Sequence, residues 1–585
     1  MSAPTQAPVV VRAVDGPEPA AGHLRVAAVQ FAAGTDVDDN LATCLRMIDA
    51  AAAEGARVIV LPEFAHHVSW YDSREHARQM AITADGPFAA AIAQRAQQHD
   101  AWIMLNAVVA RADGRSTGSN LLFSPDGELV ATSDKQVLMG SERDHIDDAL
   151  EAGPVVETPV ARFGMYSCMD GVINETPRGL ALRGAQVLLN SLNSFARDEG
   201  NLHIPVRAPE NRVWIVAANK VGPLIPPDRI EAVSRAVGVP VEMLHGAGDS
   251  QVVAPDGRLV AIAPRTGEAV VVADIDVALA DDKRRPDGTD VYAARRPSLY
   301  APLAEAPRGR VEPAGAERLR AALVQPAADG EAAIDEAAAL VVEALAQGAE
   351  LIVLPELFCF ADASVDVSAD EAEARADRAI AALTAALSGS GAHVVTSLPR
   401  GAAHEAVLVG ADGVVATQRQ LHAAARHPWA TDLADDLAVR TLPWGRLALV
   451  VGDDAVYPET FRLAALADAD AVALPFHAQE RWELETGLLE RAAENRLNLA
   501  AASRPTAAGA SIAVPLTGEF TLWSPTRTQP FDGVISRPEP VLADAADRVT
   551  LVDLSPAQAV NRMVSKGTDL VDGRPWNLLD AHLTI

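Results

Sequence analysis

The chain has 585 residues, a formal net charge of −30, 49% hydrophobic and 22% charged residues, and three cysteines. That length exceeds one ordinary hydrophobic core and points to two domains. The acidity argues against nucleic acid or an anionic membrane as partner, since phosphate would be repelled, and so few cysteines exclude a disulfide framework and suit a reducing cytoplasm.

Residues 1–22, rich in Pro, Ala and Gly, hold only Val9 to Val11 as an apolar run and read as a disordered tail without a signal-peptide core. No segment approaches the roughly 18 uninterrupted apolar residues of a membrane span. From Leu24, LRVAAVQFA reads as a buried strand. Leu41, Cys44, Leu45 and Ile48 then fall at i, i+3, i+4 and i+7, the apolar stripe of a helix with Cys44 in the core. Gly55 ends that helix, and RVIVLPEF is the next strand of a β-α-β unit closing at Glu63. His66, His67, Trp70 and Tyr71 follow in a loop, as pocket lining or plain loop. No further ligands stand at metal spacing, so no metal is expected there.

Lys135 follows the strand GELVATS, and Glu142 stands seven residues on in a polar loop. GMYSCMDGVINETPR, from Gly164 to Arg178, is an apolar run ending at Cys168 before polar residues, as at a strand-to-helix turn. A thiol there lies near backbone N–H groups and a helix N-terminus, which favour the thiolate. Cys168, Glu63 and Lys135 together offer a nucleophile, a proton carrier and positive charge for an oxyanion. Met169, Asn193 and Phe195 join His67, Trp70 and Tyr71 as candidate substrate contacts. Lys220 to Gly248 is longer than a short connection, with a helix predicted over Asp228 to Val237; it either lies over the pocket or is a surface insertion.

The pattern then recurs. LRAALVQPA from Leu319, a helix from about Ala333 to Ala346, QGAELIVLPELF, and ENR at Glu494 repeat the first half in order, at an offset of about 280 to 295 residues. The Pro- and Gly-containing stretch Glu305 to Ala316 is the expected boundary. The domains are therefore 23–304 and 317–585, joined by 305–316. Alignment motif by motif, without gaps around the cysteine turn, puts Glu356 opposite Glu63, Gln420 opposite Lys135, His427 opposite Glu142 and Gly452 opposite Cys168. A glycine forms no thioester and a glutamine carries no charge, so this second site should be inert; Cys359 reads as packed core. Asp170, Glu175, Arg178, Glu210 and Asn211 persist as Asp454, Glu459, Arg462, Glu494 and Asn495, and so read as scaffold, in buried charge pairs and turn caps.

VIVLPEF around Glu63, ATSDKQVL around Lys135 and YSCMDGVINETPR around Cys168 resemble the nitrilase, or carbon-nitrogen hydrolase, superfamily, and the resemblance covers both repeats. It implies two tandem αββα four-layer sandwiches (α/β class), with Cys168 attacking a carbonyl carbon to form a thioester. Glu63 would act as base and acid, Lys135 would support the oxyanion, and Glu142 matches a second glutamate near the pocket. Cys168-Met169-Asp170-Gly171 is similar to the amidase and carbamoylase branches. A small carboxamide comes first as substrate, an N-carbamoyl amide second and a nitrile third; acyl transfer to an amine, or a non-catalytic assembly or binding protein, are the rival readings. No cofactor is implied. The family commonly pairs two αββα units, so the second copy could be a built-in partner in an intramolecular pseudo-dimer, with further homo-oligomerisation open.

Overall fold

The computed structural model describes residues 8–12, 22–522 and 531–585. Of the expected tail, residues 1–7 and 13–21 lie outside these. Val9–Arg12 corrects the expectation: it is an edge strand, parallel to Ala269–Ile275 with Val9 opposite Ala269. Three consecutive valines suit a pleated edge that would otherwise leave backbone groups unpaired.

Two sheets form the first half. One runs in the order Val9–Arg12, Ala269–Ile275, Leu24–Gln30, Val58–Val60, Trp102–Ala110, Ser116–Phe123, Leu129–Asp134. The other runs Leu259–Ile262, Gln251–Val253, Trp214–Ala218, Val187–Ser191, Arg162–Ser167, Val155–Glu157. Alternation along each strand decides the layers. Val26, Val58 and Met104 of the first sheet meet Met165, Leu189 and Val216 of the second in one core. Their neighbours Ala27, Ile59 and Ile103 face outward onto Cys44 and Ile48 of helix Val37–Ala53 and Ile92 of helix Pro87–His99. On the far side, Leu188 and Ile215 pack on Leu180 of helix Glu175–Leu182 and Ala208 of helix Ile204–Asn211. The result is helix, sheet, sheet, helix.

The second half repeats this arrangement. Its sheets run Gly413–Arg419, Ala403–Gly410, His393–Arg400, Leu351–Glu356, Leu319–Val324, Val549–Leu554, and Val439–Leu442, Gly445–Leu449, Ala471–Pro475, Asn498–Ala502, Ile512–Val514, Val541–Leu542. The helix expected over 333–346 is Ala332–Ala346. The boundary stretch lies along the second half, where Arg308 pairs with Asp468 at 3.1 Å and Arg310 with Asp470 at 2.5 Å.

The charged residues common to both halves meet one another across the halves. Arg178 Nε donates to Glu459 Oε1 at 2.9 Å and Arg462 Nε to Glu175 Oε1 at 2.7 Å. Arg207 pairs with Glu494 at 2.8 Å, and Arg491 with Glu210. A shift of 284 positions carries Arg178 to Arg462, Glu175 to Glu459, Arg207 to Arg491 and Glu210 to Glu494, so each pair maps onto its counterpart. All these side chains are almost fully buried. Each half also sends a late segment onto the other: Gly140 N donates to Thr568 Oγ1 at 2.9 Å, and Ala425 N to Thr289 Oγ1 at 2.7 Å.

Candidate active site

Cys168 follows the strand Arg162–Ser167 and has φ 45° and ψ −107°, strained for any residue with a Cβ. Its surroundings hold that conformation in place. Cys168 N donates to Ser191 O at 2.9 Å, Gly171 N to Cys168 O at 2.7 Å, and Ser167 N to Asp170 Oδ2 at 3.2 Å. A Cβ at Gly171 would lie 2.7 Å from the Tyr166 ring, so the turn closes only over glycine. Asp170 Oδ1 also accepts from Gln136 N at 3.0 Å and Val137 N at 2.8 Å, fastening the segment after Lys135 to the turn that carries the thiol.

Glu63 lies just beyond the strand Val58–Val60, its N–H donating to Leu192 O at 3.1 Å. Lys135 closes Leu129–Asp134, its N–H donating to Gly118 O at 2.8 Å. Both side chains are about 1% exposed. Lys135 Nζ stands 2.8 Å from Glu63 Oε1 and 2.8 Å from each Glu142 oxygen. The approach to Glu63 lacks hydrogen-bond direction, so among the described residues neither Glu63 oxygen has a hydrogen-bond partner. Glu142 Oε2 also accepts from Met139 N at 2.7 Å.

Burial pushes the Glu63 pKa up, Glu142 adds to this, and Lys135 opposes it; the net shift is upward. Burial works against the Lys135 ammonium, but Glu142 and Glu63 outweigh it and hold its pKa well above the ordinary lysine value. The Cys168 thiol is pushed well above its usual range by burial and then by the Glu63 charge, with Lys135 opposing. This corrects the expectation of a thiolate favoured by its turn. Only a four-residue helix, Met169–Val172, follows the cysteine, and burial beside Glu63 favours the neutral form of its thiol.

Sequence reasoning missed Glu199. It opens a π-helical turn, Glu199–His203, is 2% exposed, and accepts from Cys168 Sγ at 3.8 Å. Burial raises its pKa to about 7. The second half anchors its neighbour: Asp198 accepts from Ile535, Ser536 and Arg537 N–H groups, and His203 bridges Asp198 Oδ2 at 3.2 Å to Glu490 Oε2 at 2.8 Å. In the sequence Glu199 is one acid in ARDEGN, with nothing to separate it from a surface residue. Lys220 was missed as well. It is buried with its pKa lowered to about 7 by burial, and donates to His67 O at 3.0 Å.

The candidate substrate contacts divide. Met169, Trp70 and Phe195 share one apolar cluster with Val137, Ile225, Ile230 and Leu244, and with Phe520, Leu522, Phe531 and Ile535 of the second half. The helix expected over 228–237 is Ile230–Val237 and packs into this cluster. Tyr71 belongs elsewhere, with Phe64, Leu138 and Ile146, and stacks on His67 at 5.1 Å. Asn193 Nδ2 donates to Ser69 Oγ at 2.9 Å, while its Oδ1 is buried without a partner among the described residues. Cys44 and Cys359 are fully buried.

In the second half Gly452 has φ 46°, nearly that of Cys168, so the turn persists without the thiol. A Cβ there would fall 2.9 Å from Glu356 Cδ: the carboxylate occupies the space of the missing side chain. Glu356 Oε2 accepts from Arg426 Nη2 at 2.5 Å and Oε1 faces His427 Nε2 at 3.0 Å. Gln420 Oε1 faces His404 Nδ1 at 3.1 Å.

The first half is thus a four-layer α/β sandwich that sets a buried glutamate and lysine in the electrostatic neighbourhood of a strand-end cysteine. The carbon-nitrogen hydrolase family model matches residues 25–285 and 320–516, and the chain belongs to that family. The chain is similar to the N-carbamoylputrescine amidase of Solanum lycopersicum, 28% identical over 48% of this chain and 94% of that protein. A nitrilase of Pyrococcus abyssi is 26% identical over 45% and 93%, and an omega-amidase of Danio rerio 26% over 48% and 96%. Among solved structures, the C. elegans NitFhit protein covers 50% of this chain and 70% of its own at 22% identity and TM-score 0.41. An amidase from Nesterenkonia sp. AN1 covers 49% and 98% at 20% identity and TM-score 0.40. Among the described residues no helix is long and apolar enough to cross a membrane.

Proposed function

We propose that the first half hydrolyses a small carboxamide through a Cys168 thioester. The observation that carries this reading is the convergence of Glu63, Lys135 and Glu142 beside a neutral thiol. A neutral thiol needs a base at the moment of attack, and Glu63 has a carboxylate free of directed hydrogen bonds. Glu63 takes the Sγ proton as sulfur bonds to the carbonyl carbon. The resulting oxyanion faces the Lys135 ammonium and the N–H groups opening the turn at Met169, because Cys168 N–H is committed to Ser191 O. Collapse breaks the carbon–nitrogen bond, Glu63 returns the proton to the leaving nitrogen, and ammonia or an amine departs. Water, deprotonated by Glu63, then cleaves the thioester to the acid and restores the thiol. Glu142 holds Lys135 in place throughout.

The apolar cluster around Met169, Trp70 and Phe195 suits an apolar acyl group. An N-carbamoyl amide is the second reading, favoured by similarity to N-carbamoylputrescine amidases. We further propose that residues 23–304 and 317–585 are two domains forming an intramolecular pseudo-dimer, with the second inert; the reciprocal buried ion pairs support this. Ammonia release measured across carboxamides, N-carbamoyl amines and nitriles, in the native chain and Cys168→Ala, tests the reading. It predicts a carboxamide preference abolished by the substitution; undiminished release from Cys168→Ala contradicts it.

A further inference from the structure

The degenerate site of the second half brings together two imidazoles and a carboxylate. Glu356 ends the strand Leu351–Glu356, His404 lies on Ala403–Gly410, and His427 sits in the loop beyond Gly413–Arg419. All three are at most 2% exposed. Their ligand-capable atoms lie within 4.8 Å of one another. Glu356 Oε1 is 3.0 Å from His427 Nε2 and 3.7 Å from His404 Nε2.

A tetrahedral zinc ion with ligands at 2.0–2.1 Å sets them about 3.3 Å apart. The two measured edges bracket that value, and the third closes by side-chain shifts of the order of an ångström. The supporting contacts orient the donors. His404 Nδ1 faces Gln420 Oε1 at 3.1 Å, which leaves Nε2 as the lone-pair nitrogen, approached by the Ser397 hydroxyl at 2.9 Å. Arg426 holds Oε2 of Glu356, so Oε1 is the oxygen turned toward both rings, and Arg426 is itself paired with Asp453 at 2.7 Å. His427 Nδ1 is buried with no partner among the described residues. Gly452 completes the arrangement, since a Cβ there would displace Oε1.

We propose that Glu356, His404 and His427 form a binding site for a divalent transition-metal ion of the zinc type, at the position equivalent to the Glu63–Lys135–Glu142 cluster of the first half. The ion takes the Nε2 lone pair of His427 in the tautomer that carries its proton on Nδ1, and displaces the ring's contact with Glu356 and the Ser397 contact to His404. Three protein ligands leave a fourth position for water. The site would tie two strands and a loop together in a domain with glycine at the position of Cys168.

The test uses the full-length chain carrying Cys168→Ala, so that no thiolate at the first site competes for the ion. The protein is stripped with chelator, then titrated with Co2+ and, separately, Zn2+. The proposal predicts one ion per chain, intense visible bands for tetrahedral Co2+, and a raised midpoint of thermal unfolding. His404→Gln and His427→Gln should each weaken binding at least about 100-fold. X-ray absorption at bound Zn2+ reads the ligands without further substitution: two imidazoles, oxygen and no sulfur are expected. Absence of stoichiometric binding, or a ligand set containing sulfur or lacking imidazole, overturns the proposal.

Discussion

Lys135→Met leaves Glu63 and Glu142 facing the space of a lost ammonium that stood 2.8 Å from each. Breaking a buried ion pair by removing one partner costs about 3–5 kcal/mol if the carboxylates stay ionised. The alternative is to protonate Glu63. From its unperturbed value of 4.5 that costs about 4 kcal/mol at about pH 7.5 but only about 1.4 kcal/mol at about pH 5.5, at 1.36 kcal/mol per unit. The sign follows from linkage. Glu63 has a raised pKa in the folded chain, so the folded state binds more protons and stability falls as pH rises from 4.5 through the folded value. Losing Lys135 raises the folded value further and widens that window upward. The Lys135 ammonium, held well above 10.5, contributes no pH dependence over this range. Thermal midpoints of variant and parent should therefore differ by roughly 7 °C at about pH 7.5, for an unfolding entropy of about 2.1 cal/mol/K per residue over the first domain, and by roughly a third of that at about pH 5.5. A deficit that is flat with pH, or that grows on acidification, would refute this account of the site.

Alkylation of Cys168 by iodoacetamide should rise with pH beyond the usual thiol range, because burial and Glu63 hold the thiol neutral. Glu199→Gln should move that profile to lower pH; a rate already at its plateau near neutrality would contradict both statements. Arg462→Met should destabilise the chain by about 3–5 kcal/mol, and Arg462→Met with Glu175→Met should recover much of the loss. Thermal midpoints read this, and equal loss in single and double variants would sink the claim of a coupled pair. Gly452→Cys should gain no ammonia release and should lose about 1–3 kcal/mol, since its side chain meets the Glu356 carboxylate. An additional active thiol, detected in a Cys168→Ala background, would count against it.

The fold was legible because its signals are local. Leu41, Cys44, Leu45 and Ile48 mark one helix face, and the buried strands recur in order 280 to 295 residues on, about one domain apart. Glu63, Lys135 and Cys168 were legible because each closes a strand at the same sheet ends. Three things were not. Val9–Arg12 has the composition of a strand but is embedded in a Pro- and Ala-rich stretch, and only pairing with Ala269–Ile275 distinguishes it. The pKa of Cys168 depends on Glu63 and Glu199, 105 residues before it and 31 after it in the chain, and on burial, which outweighs a short helix. His404 precedes Gln420 by 16 positions and follows Glu356 by 48, so no spacing motif joins it to Glu356 and His427; only the β-sheet does. Arg178 and Glu175 were recognised as scaffold, but their partners sit 281 and 287 positions away, visible only once the halves face each other.

Intact mass spectrometry of Glu63→Gln incubated with a carboxamide panel tests the thioester most directly. Glutamine takes the proton neither from Sγ nor from water, so both half-reactions slow; over long incubation at alkaline pH, where the thiol ionises without a base, acylation proceeds while deacylation stalls, and the chain should gain the mass of one acyl group, located at Cys168 by peptide mapping and missing when Cys168→Ala is added. An unmodified Cys168 together with full ammonia release from Cys168→Ala would contradict the account.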